Sequence, residues 1–243
     1  FELPDSVWAS PDPEHLASRM RAVHQAPAQQ RREAAAAGAN HLREHFTWER
    51  VALRLTNQVH RILQQRETGQ RNRPLRIGWV SSWNQRCGLA TYSQHLIEQN
   101  GHDDIRVYAP WLEAAPQHPD GPGVTRCWHQ DDRDPLTHLG DCLLADDLDA
   151  VVIQMNIYFY DYRALGRLIG RLRDAGLVAT LTLHATIEPE PRKALSALRP
   201  ATERCDRLLV HTIGDLNRLA GAGMEANAAL LPHGIANPQQ APV

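Results

Sequence analysis

What the chain lacks narrows its function first. Its 243 residues carry 26 Lys and Arg against 28 Asp and Glu, a formal net charge of -2. There is no basic excess of the kind that draws a protein onto nucleic acid, so no nucleic-acid partner is expected. The four cysteines, Cys87, Cys127, Cys142 and Cys205, form no CxxC pair and no short Cys/His spacing. That argues against a zinc knuckle and a disulfide framework, and leaves reduced thiols. No apolar run reaches the length of a membrane-spanning helix, and "FELPDSVWASPDPEH" lacks the basic and apolar regions of a signal peptide. A soluble, cytoplasmic protein is the expectation. Neither GxGxxG nor GxxxxGK[ST] occurs, so dinucleotide and P-loop readings lose their fingerprints. The chain opens on Phe1 rather than methionine and ends in "ANPQQAPV" without a closing element, which suggests a piece of a longer protein.

What is present divides into two compositions. Asp12 followed by Pro13 and Glu14 is an N-cap with proline at the first helical position, and Leu16, Met20 and Val23 recur at helical spacing. Good helix formers continue from Gln29 to His45. Thr47 then caps a third helix whose Val51, Leu55, Val59 and Ile62 share one face. The apolar faces of these helices need cover, so packing on the following domain is expected. Residues 67–74 are polar, contain Gly69 and Pro74, and read as a linker.

After the linker, apolar runs alternate with amphipathic helices. The runs are "LRIGWV", "IRVYA", "VTRCW", "DAVVIQM", "VATLTL", "RLLVHT" and "NAALLP". Short apolar strands separated by helices predict an α/β fold, a Rossmann-like doubly wound parallel sheet over residues 75–235. Ligands of such sheets bind at the carboxyl ends of the strands, near the switch in strand order.

Candidate site residues follow from that rule. The first strand leads through a loop ending in Arg86, Cys87 and Gly88 into the helix "LATYSQHLIEQ". A helix N-terminus there can receive a phosphate, and a glycine lets the ligand approach the backbone, although a turn alone would also explain Gly88. Past the fourth strand, Gln154 and Asn156 stand beside Tyr158, Phe159, Tyr160 and Tyr162. Amides and aromatic faces together suit a hydroxyl-rich ligand such as a sugar, with packing under the next helix as the alternative for Phe159. His184 lies just past the fifth strand, with Glu188 and Glu190 in the loop beyond. It is placed to donate a hydrogen bond or act as acid or base, unless it is a satisfied core histidine. His211, as a single feature, reads as a packing or helix-capping residue, and Pro232 and Gly234 read as a turn around His233.

Taken in order, "CGLATYSQHL", "VVIQMN", "TLHAT", "CDRLLVHTIGDLNRLAGAGM" and "ALLPHGI" resemble the GT-B glycosyltransferases, in particular the retaining family 4, or group 1, type. Residues 1–66, especially "HFTWERVA", resemble the helical tail that ends such an enzyme. The resemblance therefore implies a tandem protein, with the end of one module followed by the N-terminal, acceptor-side domain of a second. Residues 236–243 would begin the interdomain linker, and the donor-binding C-terminal domain, with its paired glutamates, is missing from the sequence.

The implied activity is transfer of a sugar from a nucleotide-sugar donor to a glycan or lipid-linked saccharide acceptor, in polysaccharide or glycoconjugate synthesis. The parent would be a hexosyltransferase with possible peripheral membrane association. By resemblance His184 would point at the reacting sugar, and Arg86, Cys87 and Gly88 would face the donor phosphate. Gln154, Asn156, Tyr158 and Glu188 would face the acceptor. No cofactor and no metal is expected, because oriented backbone donors can stabilise a departing diphosphate. The rival readings are an NAD-dependent oxidoreductase and a noncatalytic carbohydrate-binding or docking module.

Overall fold

The computed structural model describes residues 12–66, 73–113, 116, 118–131, 133–187 and 193–235. Part of the linker (67–72), Glu188, Glu190 and residues 236–243 lie outside the described residues.

Three helices come first: α1 (Pro13–Gln25), α2 (Ala28–His45) and α3 (Trp48–Arg66). The Asp12 side chain accepts a hydrogen bond from Glu14 N, satisfying one of the free N–H groups of the first turn. The chain divides into two compact units between Thr47 and Trp48, with Gly234 and Ile235 joining the first. Within that first unit, Thr47 and Ile235 form a parallel bridge. Neither α1 nor α2 buries a residue, whereas α3 buries Val51, Ala52, Leu55, Thr56, Val59, Ile62 and Leu63. Packing on the sheet, expected of all three helices, is therefore seen for α3, the one with a continuous apolar face.

The second unit holds a seven-stranded sheet. Its elements are β1 (Arg76–Val80), α4 (Gly88–Glu98), β2 (Asp104–Pro110), β3 (Val124–Trp128), α5 (Thr137–Ala145), β4 (Ala150–Met155), α6 (Tyr162–Asp174) and β5 (Val178–Leu183). After a 3-10 turn at Leu195–Leu198 come α7 (Arg199–Thr202), β6 (Arg207–Val210), α8 (Ile213–Gly221) and β7 (Ala228–Leu230). All strands run parallel in the order β3-β2-β1-β4-β5-β6-β7. This is the α/β, Rossmann-like doubly wound architecture read from the sequence.

The period-two rule of a strand assigns each side chain to one of two cores. Val151, Ile153 and Met155 of β4, with Ala179, Leu181 and Leu183 of β5, meet Leu139 and Leu143 of α5 and Leu165, Leu168, Ile169 and Leu172 of α6. Ala150 and Val152, with Ile77 and Trp79 of β1, instead meet α3 and the α4 residues Tyr92 and Leu96. β4 and β5 are buried along their whole length, which is why they read as unbroken apolar runs. The chain leaves β1 toward β2 on one side and later returns as β4 on the other, so the topological switch point lies between β1 and β4. Among the described residues no helix is long and apolar enough to cross a membrane.

Candidate functional site

The loop after β1 is tied down by polar contacts. Asn84 takes a left-handed φ of 53°, which Asn tolerates better than most residues. Its Nδ2 donates to the His118 carbonyl and to Asp120 Oδ1, while its Oδ1 accepts from His118 N at 3.2 Å. Arg126 donates to Asp120 through Nε (2.7 Å) and Nη2 (3.0 Å), and to the Trp83 carbonyl at 3.4 Å. Burial alone would raise the Asp120 carboxyl, but the bonds from Arg126 and Asn84 hold it below the usual carboxylate range. Ser93 Oγ, on α4, donates to Ser81 Oγ at 2.8 Å in full burial, fastening the helix to the end of β1.

Helix α4 starts without a side-chain cap. Cys87 is its N-cap residue and makes no capping hydrogen bond, whereas α6 has Asp161 accepting from Ala164 N and α8 has a full Thr212–Asp215 capping box. Cys87 Sγ is paired laterally, accepting from Ser82 Oγ at 3.4 Å. Arg86 is exposed. A Cβ built on Gly88 would have nothing within 4 Å, so the start of the helix is open to an approaching group.

One turn into α4, Tyr92 faces the ends of the strands on the other side of the switch point. Its ring meets His184 edge-on at 4.7 Å and lies 5.3 Å from both His211 and His233. His184, reached by leaving β5, and Gly88, reached by leaving β1, are thus linked through a single helix. The Tyr92 hydroxyl is buried with no partner among the described residues, and burial pushes its pKa well above the ordinary range.

His184 has both ring nitrogens engaged. Nε2 lies 2.8 Å from Gln154 Oε1, and Nδ1 lies 3.2 Å from His211 Nε2. The other nitrogen of His211, Nδ1, donates to the Leu231 carbonyl at 2.8 Å. Burial, then the neighbouring His211 and His233, push His184 down to about 3. Burial likewise pushes His211 down to about 4, against the opposing pull of the Leu231 carbonyl and Asp215. Both rings are therefore neutral near pH 7. Thr186, two residues past His184, donates to Asp215 Oδ1 and accepts from Arg218 Nε at 2.7 Å, which ties the loop after β5 to α8.

The remaining candidates separate. Gln154 is fully buried and turned toward His184; its Nε2 has no partner among the described residues. Asn156 is half-buried and accepts from Tyr158 N at 3.2 Å, holding the turn after β4. Tyr158 is exposed, but Phe159, Tyr160 and Tyr162 are buried, with Tyr160 stacked on Trp128 at 5.1 Å. The aromatic run is thus mostly core, as packing under the next helix requires. His211 does not cap α8, since Thr212 does. Pro232, His233 and Gly234 lie in irregular chain rather than the turn their composition suggests, and Gly234 needs no left-handed φ.

Sequence reasoning did not single out Tyr92, and it read His211 as a packing or capping residue and His233 as part of a turn. A signal existed: β5, β6 and β7 are neighbours, and each is followed at its carboxyl end by a histidine. No protein-family model matches this chain, and no curated protein matches it.

Proposed function

We propose that the chain is the acceptor-side half of a retaining, nucleotide-sugar-dependent glycosyltransferase of the GT-B type, acting on a glycan or lipid-linked saccharide. The observation that carries this reading lies beside the β1/β4 switch point. There helix α4 starts uncapped at Gly88 and, one turn on, sets the ring of Tyr92 against His184, the histidine past β5. Glycosyl transfer needs a seat for a diphosphate and a hydrogen-bonding group beside the sugar. In this reading the α4 N-terminus with Gly88 and Arg86 serves the first need, and His184 serves the second by exchanging its Nδ1 contact with His211 for one to the sugar. Gln154 then acts from beneath as the residue that orients His184, while Asn156 and Tyr158 offer the more accessible surface to the acceptor.

The donor's remaining contacts would come from the second domain that the resemblance implies. This chain alone then binds nucleotide sugars weakly or not at all. Calorimetry that gives micromolar affinity for any nucleoside-diphosphate sugar would contradict that division of labour. Cytoplasmic placement, with the acceptor reached at a membrane surface, belongs to the same proposal.

The strand order also fits a dinucleotide-binding sheet, which keeps an oxidoreductase reading in play. One experiment separates the two: the longer protein that contains this chain is assayed with a panel of nucleotide sugars and titrated with NADH. Sugar transfer without NADH binding supports the proposal; NADH binding with no transfer from any donor overturns it. Binding of saccharides with neither activity would indicate a noncatalytic docking module.

A further inference from the structure

His184, His211 and His233 follow three neighbouring strands, and one ring nitrogen from each lies within 4.8 Å of the others. The proton positions on two of these rings follow from their outer partners. His211 Nδ1 faces the Leu231 carbonyl, which can only accept, so Nδ1 carries the proton and Nε2 keeps its lone pair. His184 Nε2 faces Gln154 Oε1, also an acceptor, so in a neutral ring Nε2 carries the proton and Nδ1 keeps the lone pair. The two lone pairs then confront each other across 3.2 Å. For two neutral imidazoles alone that is repulsive. For two ligands of one cation it is the expected spacing, because nitrogens bound tetrahedrally at zinc distances stand about 3.3 Å apart.

We propose that His184 Nδ1, His211 Nε2 and the ring of His233 bind a single divalent transition-metal ion of the zinc class. The outer partners are of the kind that orient metal-bound imidazoles, a main-chain carbonyl behind His211 and a side-chain amide oxygen behind His184. His233 is exposed; for its nitrogen to draw in, its ring has to turn out of its present packing on His211, where the centroids are 4.0 Å apart and the planes 34° from parallel. It must do so, since two ligands of one zinc ion stand at most about 4.1 Å apart. Three imidazoles without a carboxylate select zinc, cobalt, nickel or copper over magnesium or calcium. A fourth position stays open to water or a ligand, and the ion would clamp the ends of β5, β6 and β7. The proposal does not rest on glycosyl transfer, and it competes with that reading for His184: a ring with Nε2 on Gln154 and Nδ1 on an ion has no nitrogen left for a sugar.

A definite alternative arrangement exists. If the Gln154 amide is reversed, its NH2 donates to His184 Nε2, the His184 proton moves to Nδ1, and the histidine pair becomes an ordinary hydrogen bond. That arrangement puts the remaining His184 lone pair on Nε2, where it accepts from Gln154 and faces away from His211, so metal binding separates the two.

The test is titration of the untagged, chelator-treated chain with zinc by calorimetry, and with cobalt(II) followed by visible absorption. We expect one ion per chain, the intense bands of tetrahedral cobalt, and a melting temperature that rises with zinc. His233→Ala, which changes an exposed residue and should fold, weakens zinc binding at least about tenfold. His41 and His45, whose rings lie 4.7 Å apart on α2, are the rival place for an adventitious ion. The control variant His41→Ala/His45→Ala should bind as the unmodified chain does. Absence of stoichiometric binding overturns the proposal, as does binding that survives in His233→Ala or disappears in the control.

Discussion

At the scale of single residues, Gly88 and Asp120 make opposite kinds of claim. The space above Gly88 is open, so a side chain there disturbs no packing and acts only on what approaches. Gly88→Val should leave the melting temperature of the chain unchanged and, under the proposed function, raise the apparent donor KM and lower turnover of the two-domain enzyme. Thermal denaturation and donor-saturation kinetics on the same preparation check this. Asp120, by contrast, works for the fold. Its carboxyl is held below the usual range by Arg126 and Asn84, so its contribution is fully present above the ordinary aspartate value of about 3.9 and lost as pH falls through its lower folded value. Asp120→Asn should therefore flatten the fall of melting temperature on the acid side of about pH 4, and an unchanged acid slope would refute the assignment. The position of His184 just past a strand end was legible in the sequence. His211 and His233 were not, because each was weighed alone against a bland explanation; their significance comes from adjacency in the sheet, which spacing along the chain does not encode.

At the scale of elements, two stretches carry separable stability. Thr212 and Asp215 close a reciprocal capping box on α8, in which the Thr212 side chain accepts from Asp215 N and Asp215 accepts from Thr212 N. Thr212→Ala should cost about 1 kcal/mol, read by chemical denaturation. Leu165 on α6 has no exposed surface and sits between helix and sheet, so Leu165→Ala should cost roughly 2–5 kcal/mol with a lower denaturation midpoint. The elements were the most readable part of the chain. "VATLTL" and "VTRCW" coincide with β5 and β3, and the Asp12-Pro13 start of α1 falls where capping chemistry puts it. The aromatic run after β4 was harder. Tyr158 and Tyr160 are equally aromatic, but one is exposed and the other stacks on Trp128 from a distant strand, a contact the local sequence does not contain. The division of the helices was equally hidden: α3 belongs with the sheet because β1, β4 and β5 offer an apolar face that only exists once they pair.

At the scale of the whole molecule, strand order decides where chemistry can occur. The alternation of strands and helices predicts a parallel sheet, but the order β3-β2-β1-β4-β5-β6-β7 follows from which side of β1 each crossover takes. That order sets β1 beside β4 and lets α4 bridge from Gly88 to His184 through Tyr92. The central proposal is that sugar is transferred beside this switch point, and one paired measurement tests it most directly. In a two-domain protein of the proposed kind containing this chain, turnover with a nucleotide sugar and melting temperature are measured together for His184→Ala. The account predicts turnover per folded molecule reduced roughly tenfold to a thousandfold, the loss of one transition-state contact of about 1.4 to 4 kcal/mol. Normal turnover in folded His184→Ala would remove His184 from the site and contradict the account.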